Sequence, residues 1–195
     1  MIRTNCSVSL PSSESNKVKR AFQIGSFADL IAHHKTKASL EYAGAPFSTI
    51  SPQRRGLLLE DIGKAIDQYA TAPPNKEARR SRASYDWFRT ESKQRVECKS
   101  AQLSWNKSGW VAHFKNIKVL EFDVLVLCLY TPVSLEYYEC ATSALTMLYS
   151  QGGLMPSGEC LVLRAGKCRF DEATVTICNK LAKFAKSTAS ICLQG

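Results

Sequence analysis

The longest uninterrupted apolar run in this chain, Val124 to Tyr130, is seven residues long. That is far short of the roughly 20 residues that span a bilayer, and its length suits a strand. Three more strand-like segments precede it, at Ala83–Arg89, Arg95–Leu103 and Trp110–Ile117, and the run itself opens at Asp123. Upstream, Ser51 and Pro52 read as a cap and a first helical residue. Leu58, Ile62, Ala65, Ile66 and Tyr69 then recur at helical spacing as far as Ala70, before Pro73-Pro74 stops the helix. Downstream, a helix is expected over about Leu135–Tyr149, a short strand over Cys160–Arg164, and a last helix from an Asp171 cap to about Lys186. Val175, Cys178, Leu181, Ala182 and Ala185 would form the inner face of that helix. A further helix fits Phe22–Leu40. Helices bracketing a block of strands predict an α/β fold, with a mixed central sheet of four or five strands flanked by helices. Residues 1–20, rich in Ser, Asn and Lys, read as a flexible lead-in, and 21–195 as one domain.

Charge narrows the choice of partner. Twenty-six basic residues against seventeen acidic give +9. Met1–Tyr85 carries thirteen basic and seven acidic residues, Asp86–Ser150 seven of each, and Gln151–Gly195 six and three. Basic flanks around a neutral, strand-rich middle point to a polyanion, nucleic acid foremost. The basic link Lys76–Arg82 fits phosphate contact, nuclear import or plain solvation. The polar N-terminus has no secretory-type apolar segment, so an intracellular protein of cytoplasm or nucleus is expected, with no membrane partner. Eight cysteines form no C-x-x-C pair, and the three histidines supply no zinc spacing, so reduced, partly buried thiols are expected.

The chemistry concentrates between residues 86 and 99. Residues two apart on a strand share a face, which sets Glu97 beside Lys99. The polar segment Thr90-Glu91-Ser92-Lys93 suits a hairpin turn, and a turn centred between Glu91 and Ser92 pairs position 86 with position 97. Asp86 and Glu97 would then face each other about 5 Å apart. Two carboxylates that close repel unless a proton or cation separates them. They form the hard oxygen site that Mg²⁺ prefers, completed by water and substrate phosphate. A neighbouring lysine can hold the phosphate, or orient and help deprotonate an attacking water.

Asp86, followed after ten residues by Glu97-Cys98-Lys99, resembles the signature of the PD-(D/E)XK nuclease superfamily, with its restriction-endonuclease-like fold. Arg55-Gly56-Leu57-Leu58-Leu59-Glu60 resembles the basic-Gly-x-x-x-Glu of the first helix in the resolvase-like branch. The resemblance covers Arg54 to about Tyr130, with Tyr85 standing where the motif has proline. It implies a Mg²⁺-dependent endonuclease, with Mn²⁺ as substitute and DNA ahead of RNA as the substrate. Asp86, Glu97 and the Cys98 carbonyl would ligate the metal, Lys99 would position the water, and Glu60 would add a carboxylate. A homodimer is compatible with that assignment. Helical spacing sets Glu60 opposite the apolar stripe and Asp61 at its edge, so Asp61 competes for the helix role.

Weaker candidates surround this set. Gln102 falls on the other strand face and reads as structural. Asp123 reads as a strand-edge residue, Trp87, Trp105 and Trp110 as packing rather than base-stacking groups, and His33-His34 has no partner spacing. No phosphate-binding G-x-x-x-x-G-K-[ST] loop and no G-x-S-x-G elbow occurs. The rival to a nuclease is a nucleic-acid-binding or protein-interaction module on the same scaffold, without catalysis.

Overall fold

Strands dominate because the apolar residues here mostly alternate or run continuously. The computed structural model describes residues 40–71, 85–145, 154–155 and 160–193. The elements run α1 (Pro52–Ile66), β1 (Ala70–Thr71), β2 (Trp87–Arg89), β3 (Gln94–Asn106), β4 (Gly109–Phe114), β5 (Val124–Tyr130), β6 (Ser134–Ala141), β7 (Leu154–Met155), β8 (Cys160–Gly166), α2 (Phe170–Leu181) and β9 (Lys186–Cys192). They build one mixed sheet in the order β7-β8-β4-β3-β5-β6-β9, with β2 on β3 and β1 on β2. Among the described residues only β3 and β5 pair in parallel. The expected α/β class stands, but the described residues form nine strands where four or five were anticipated.

The run Val124 to Tyr130 becomes β5, wholly buried between β3 and β6. Its alternate residues serve two cores, as a sheet covered on both faces requires. Val124, Val126, Cys128 and Tyr130 pack on the side of Leu59 from α1. Leu125, Leu127 and Leu129 pack on the side of Ala173, Ile177 and Leu181 from α2. One helix on each face is therefore written into the continuous apolar run.

Three expectations need correction. The expected helix over Leu135–Tyr149 is strand β6 as far as Ala141; residues 142–145 are helical, and 146–149 lie outside the described residues. Both faces of β6 are buried, Leu135 and Tyr137 in one core and Tyr138 and Cys140 in the other, and that spacing imitates a helical stripe. The last helix is capped by Arg169 and carries Asp171 in its first turn; it ends at Leu181, and Lys186 opens strand β9. Its buried residues are Ala173, Ile177 and Leu181, whereas Val175 is exposed. Finally, α1 stops at Ile66 and buries Leu59 and Gly63 rather than the predicted stripe; Ile66 and Tyr69 are exposed. The lead-in 1–20, all but the end of the Phe22–Leu40 segment, His33-His34 and the basic link Lys76–Arg82 lie outside the described residues.

Candidate active site

Hairpin β2–β3 has the register read from the sequence. Trp87 pairs with Val96, Phe88 with Arg95 and Arg89 with Gln94, across a turn in which Lys93 takes φ 55°. One further step would set Asp86 opposite Glu97, but the ladder ends at Trp87. There the Asp86 N–H donates to the Val96 carbonyl at 2.9 Å. Its carboxylate Oδ2 accepts the Cys98 N–H at 2.7 Å.

A break in the sheet makes room for that contact. β3 pairs with β5 along one edge, over Val96–Gln102. Along the other it pairs with β2 at Gln94–Val96 and with β4 at Leu103–Asn106. Along this second edge, residues 97–102 have no strand partner among the described residues. Buried backbone donors must still be satisfied. Asp86 serves one at the near end. On the opposite edge, where the β3–β5 ladder ends, the Tyr42 hydroxyl accepts the Leu103 N–H at 3.1 Å and donates to the Tyr130 carbonyl of β5 at 2.8 Å.

Into this gap α1 brings Glu60. Gly56, Leu59, Glu60 and Gly63 form the half-buried to buried side of the helix, and Asp61 is exposed. The competition between Glu60 and Asp61 thus resolves in position: Glu60 hydrogen-bonds to Asp86. Close approach comes at Gly63, where a Cβ would lie 3.2 Å from Tyr137 Cε1 and 3.5 Å from Trp87 Cη2. At Gly56 a Cβ would meet only Ser100 Oγ, at 3.9 Å, an ordinary van der Waals contact.

The electrostatics follow from crowding acids in a dry place. Glu97, 8% exposed, pairs with Lys99. Burial pushes the Glu97 carboxyl up to about 7, the charge of Asp86 adds to this, and Lys99 opposes it. Burial likewise lifts Glu60 to about 7, reinforced by the charges of Asp86, Glu97 and Asp61 and by its hydrogen bond to Asp86. Asp86 is also raised by burial, against the Cys98 N–H, Lys99 and the Glu60 hydrogen bond, which hold it down. The hydrogen bond between the two acids raises Glu60 and holds Asp86 down, so Glu60 is the one that keeps its proton to higher pH.

Among the described residues no three Asp, Glu, His or Cys side chains converge closely enough to hold a metal ion as they stand. The acids pair off instead, Glu60 with Asp86 and Glu97 with Lys99. The donor chemistry nevertheless fits Mg²⁺. This cation needs only one or two carboxylates beside water and phosphate.

The remaining candidates resolve as structure. Asp123 ties the start of β5 to β3, accepting from Arg95 N at 2.8 Å and pairing with its guanidinium at 3.0 Å. Trp87 and Trp110 are fully buried, and Trp105 packs edge-on against Trp110 at 5.1 Å. No disulfide joins the seven described cysteines. Sequence reasoning missed Tyr42, and also a buried ion cluster in which Arg89 joins Asp67 and Glu139. Its one signal was a basic residue at Trp87 + 2, on the face where the α1 core forms. No helix among the described residues is long and apolar enough to cross a membrane. Comparison of the chain with protein-family models, curated proteins and solved structures finds no match in any of the three.

Proposed function

We propose that this protein is a Mg²⁺-dependent nuclease of PD-(D/E)XK type, hydrolysing phosphodiester bonds in DNA in preference to RNA. One observation carries the reading. A helix carboxyl, Glu60, is hydrogen-bonded to Asp86 beside a strand that presents Glu97 and Lys99 together. Buried acids gathered this way cost stability unless a ligand relieves them, which is the mark of a functional site. In the fold reading that accompanies it, the β2–β3 hairpin and α1 correspond to the catalytic hairpin and first helix of the restriction-endonuclease-like sheet.

In this scheme Asp86 and Glu97 hold the cation, with the Cys98 carbonyl completing the set and Glu60 reaching it directly or through water. Bound Mg²⁺, or Mn²⁺ in its place, supplies a Lewis acid that lowers the pKa of water and offsets charge growing on the phosphate. The protein does the rest. To serve the cation, Glu60 and Asp86 would both have to be ionised, the proton of Glu60 passing to solvent. Lys99, freed from Glu97, orients the attacking water and holds a non-bridging phosphate oxygen. The Cys98 N–H keeps Asp86 aimed into the gap. Arg54 and Arg55 stand in the first turn of α1, which has no acid, and with the basic flanks they grip the backbone without reading bases.

The test is to incubate purified protein with plasmid, single strands, branched DNA and RNA, in Mg²⁺, Mn²⁺ or EDTA. Metal-dependent cleavage that disappears in Lys99→Ala supports the reading. Nucleic-acid binding indifferent to metal, with no cleavage of any substrate, refutes it in favour of a non-catalytic module.

A further inference from the structure

Behind the carboxyl site lies a pocket of about 370 Å³ that the nuclease chemistry does not use. It touches that site through two residues: Gly63, one residue short of a full turn beyond Glu60, and Trp87, next in the chain to Asp86. Arg89 forms part of its wall, with a side chain 12% exposed. Its Nε donates to Asp67 Oδ2 at 2.7 Å, and Nη1 and Nη2 donate to the two oxygens of Glu139 at 3.0 and 2.7 Å. A guanidinium has five N–H donors, so two find no acceptor among the described residues. Lys186 adds a second positive charge to the lining.

The charges select the occupant. Arg89 and Lys186 cancel Asp67 and Glu139, so neither a phosphate nor a cation is favoured over the other. What remains is a nearly buried donor pair, a hydroxyl at Ser187, and the ring of Tyr69, 50% exposed. A neutral, flat group rich in hydrogen-bond acceptors fits these features, and beside a site that takes a nucleic-acid backbone such a group is a base. We propose that the pocket receives an unpaired nucleobase adjacent to the scissile phosphate, stacked on Tyr69 and hydrogen-bonded by Arg89. The proposal rests on the nuclease reading for its substrate, and it narrows that substrate to single-stranded, frayed or base-extruded nucleic acid.

The experiment measures binding in EDTA, where no chemistry occurs, using a short single-stranded oligonucleotide and versions with one abasic position scanned along it. At one position, loss of the base should weaken binding by about tenfold, the usual worth of one base–aromatic stack. Tyr69→Ala should weaken the intact strand by a similar factor and leave the abasic strand unaffected. Tyr69 is half in solvent, so its loss leaves the core intact. Equal affinity for intact and abasic strands at every position overturns the proposal, as does a Tyr69→Ala effect that persists on the abasic strand. Cleavage in Mg²⁺ by wild type and Lys99→Ala is measured alongside. An absent base effect with Lys99-dependent cleavage removes the pocket and leaves the nuclease. A base effect without such cleavage does the reverse, and no nucleic-acid binding at all removes both.

Discussion

Replacing Glu60 with glutamine should make the protein more stable at alkaline pH and leave it unchanged in acid. Glutamine copies the shape of the protonated acid and can still donate to Asp86, but it cannot ionise. In the wild type, burial and neighbouring charge raise Glu60 from its ordinary 4.5 to about 7. The folded state therefore binds this proton more tightly than the unfolded chain. Its contribution to stability is complete below about pH 4.5, falls as pH rises, and is gone above about pH 7. For a wholly buried acid that rise is worth roughly 3 kcal/mol. Glu60 is only half-buried, and solvent screening brings the figure down to about 1.5 kcal/mol. In a chain of 195 residues this is about 3–6 °C in Tm. Metal-free melting of wild type and Glu60→Gln at about pH 4 and pH 8.5 checks it: curves that coincide in acid should separate in base, with the mutant higher. A difference that is constant across pH, or largest in acid, would refute the proton held on Glu60.

Other expected outcomes follow from the same geometry. Lys99→Ala should abolish cleavage and keep nucleic-acid affinity within about twofold, since the basic flanks supply most of the counterion release; a filter-binding titration beside a nicking assay decides this. Asp86→Asn should melt slightly higher than wild type without metal and lose any Mg²⁺-induced rise in Tm, because one repelling charge and one ligand disappear together. An equal Mg²⁺ shift in both proteins would place the metal elsewhere. Gly63→Ala should cost about 1–3 kcal/mol through its 3.2 Å approach to Tyr137. Gly56→Ala, with open space around it, should be neutral or stabilise by up to about 1 kcal/mol, as denaturant midpoints will show. Mg²⁺-dependent cleavage should fall in Glu60→Gln and survive in Asp61→Asn.

The hairpin was legible because its signal is local. A polar turn fixed its centre, and strand parity then placed Trp87 against Val96 and aligned Asp86 with the acid-x-Lys triplet. The helix was harder. Hydrophobic periodicity weighs Leu58, Ile62 and Ile66 and ignores glycine, yet a residue without a side chain lets backbone approach a sheet. The packing side of α1 runs through Gly56 and Gly63, with Leu59 and Glu60 between, and an apolar stripe cannot reveal it. β6 was misread for a related reason. A strand buried on both faces loses its two-residue alternation, and Tyr137-Tyr138 in adjacent positions resembles a helix face. β9 carries Lys, Ser, Thr and Ala on an edge, where pairing with β6 rather than burial defines the strand. The ion cluster of Arg89 joins positions 22 and 50 residues away in the chain, and no local pattern announces it.

The contact between Asp86 and the Cys98 amide makes one backbone hydrogen a reporter on the site. Most amides of a central strand exchange with solvent only when the sheet itself opens, but this one is held by a side chain at 2.7 Å across a gap in the sheet. Its exchange rate follows whatever Asp86 is doing. A cation that fixes the carboxylate would slow the exchange of Cys98 selectively, and removing the carboxylate would hasten it. β3 residues such as Ala101, paired with Leu129 on β5, would keep their own rates. A single amide could therefore register occupancy without substrate, turnover or a label.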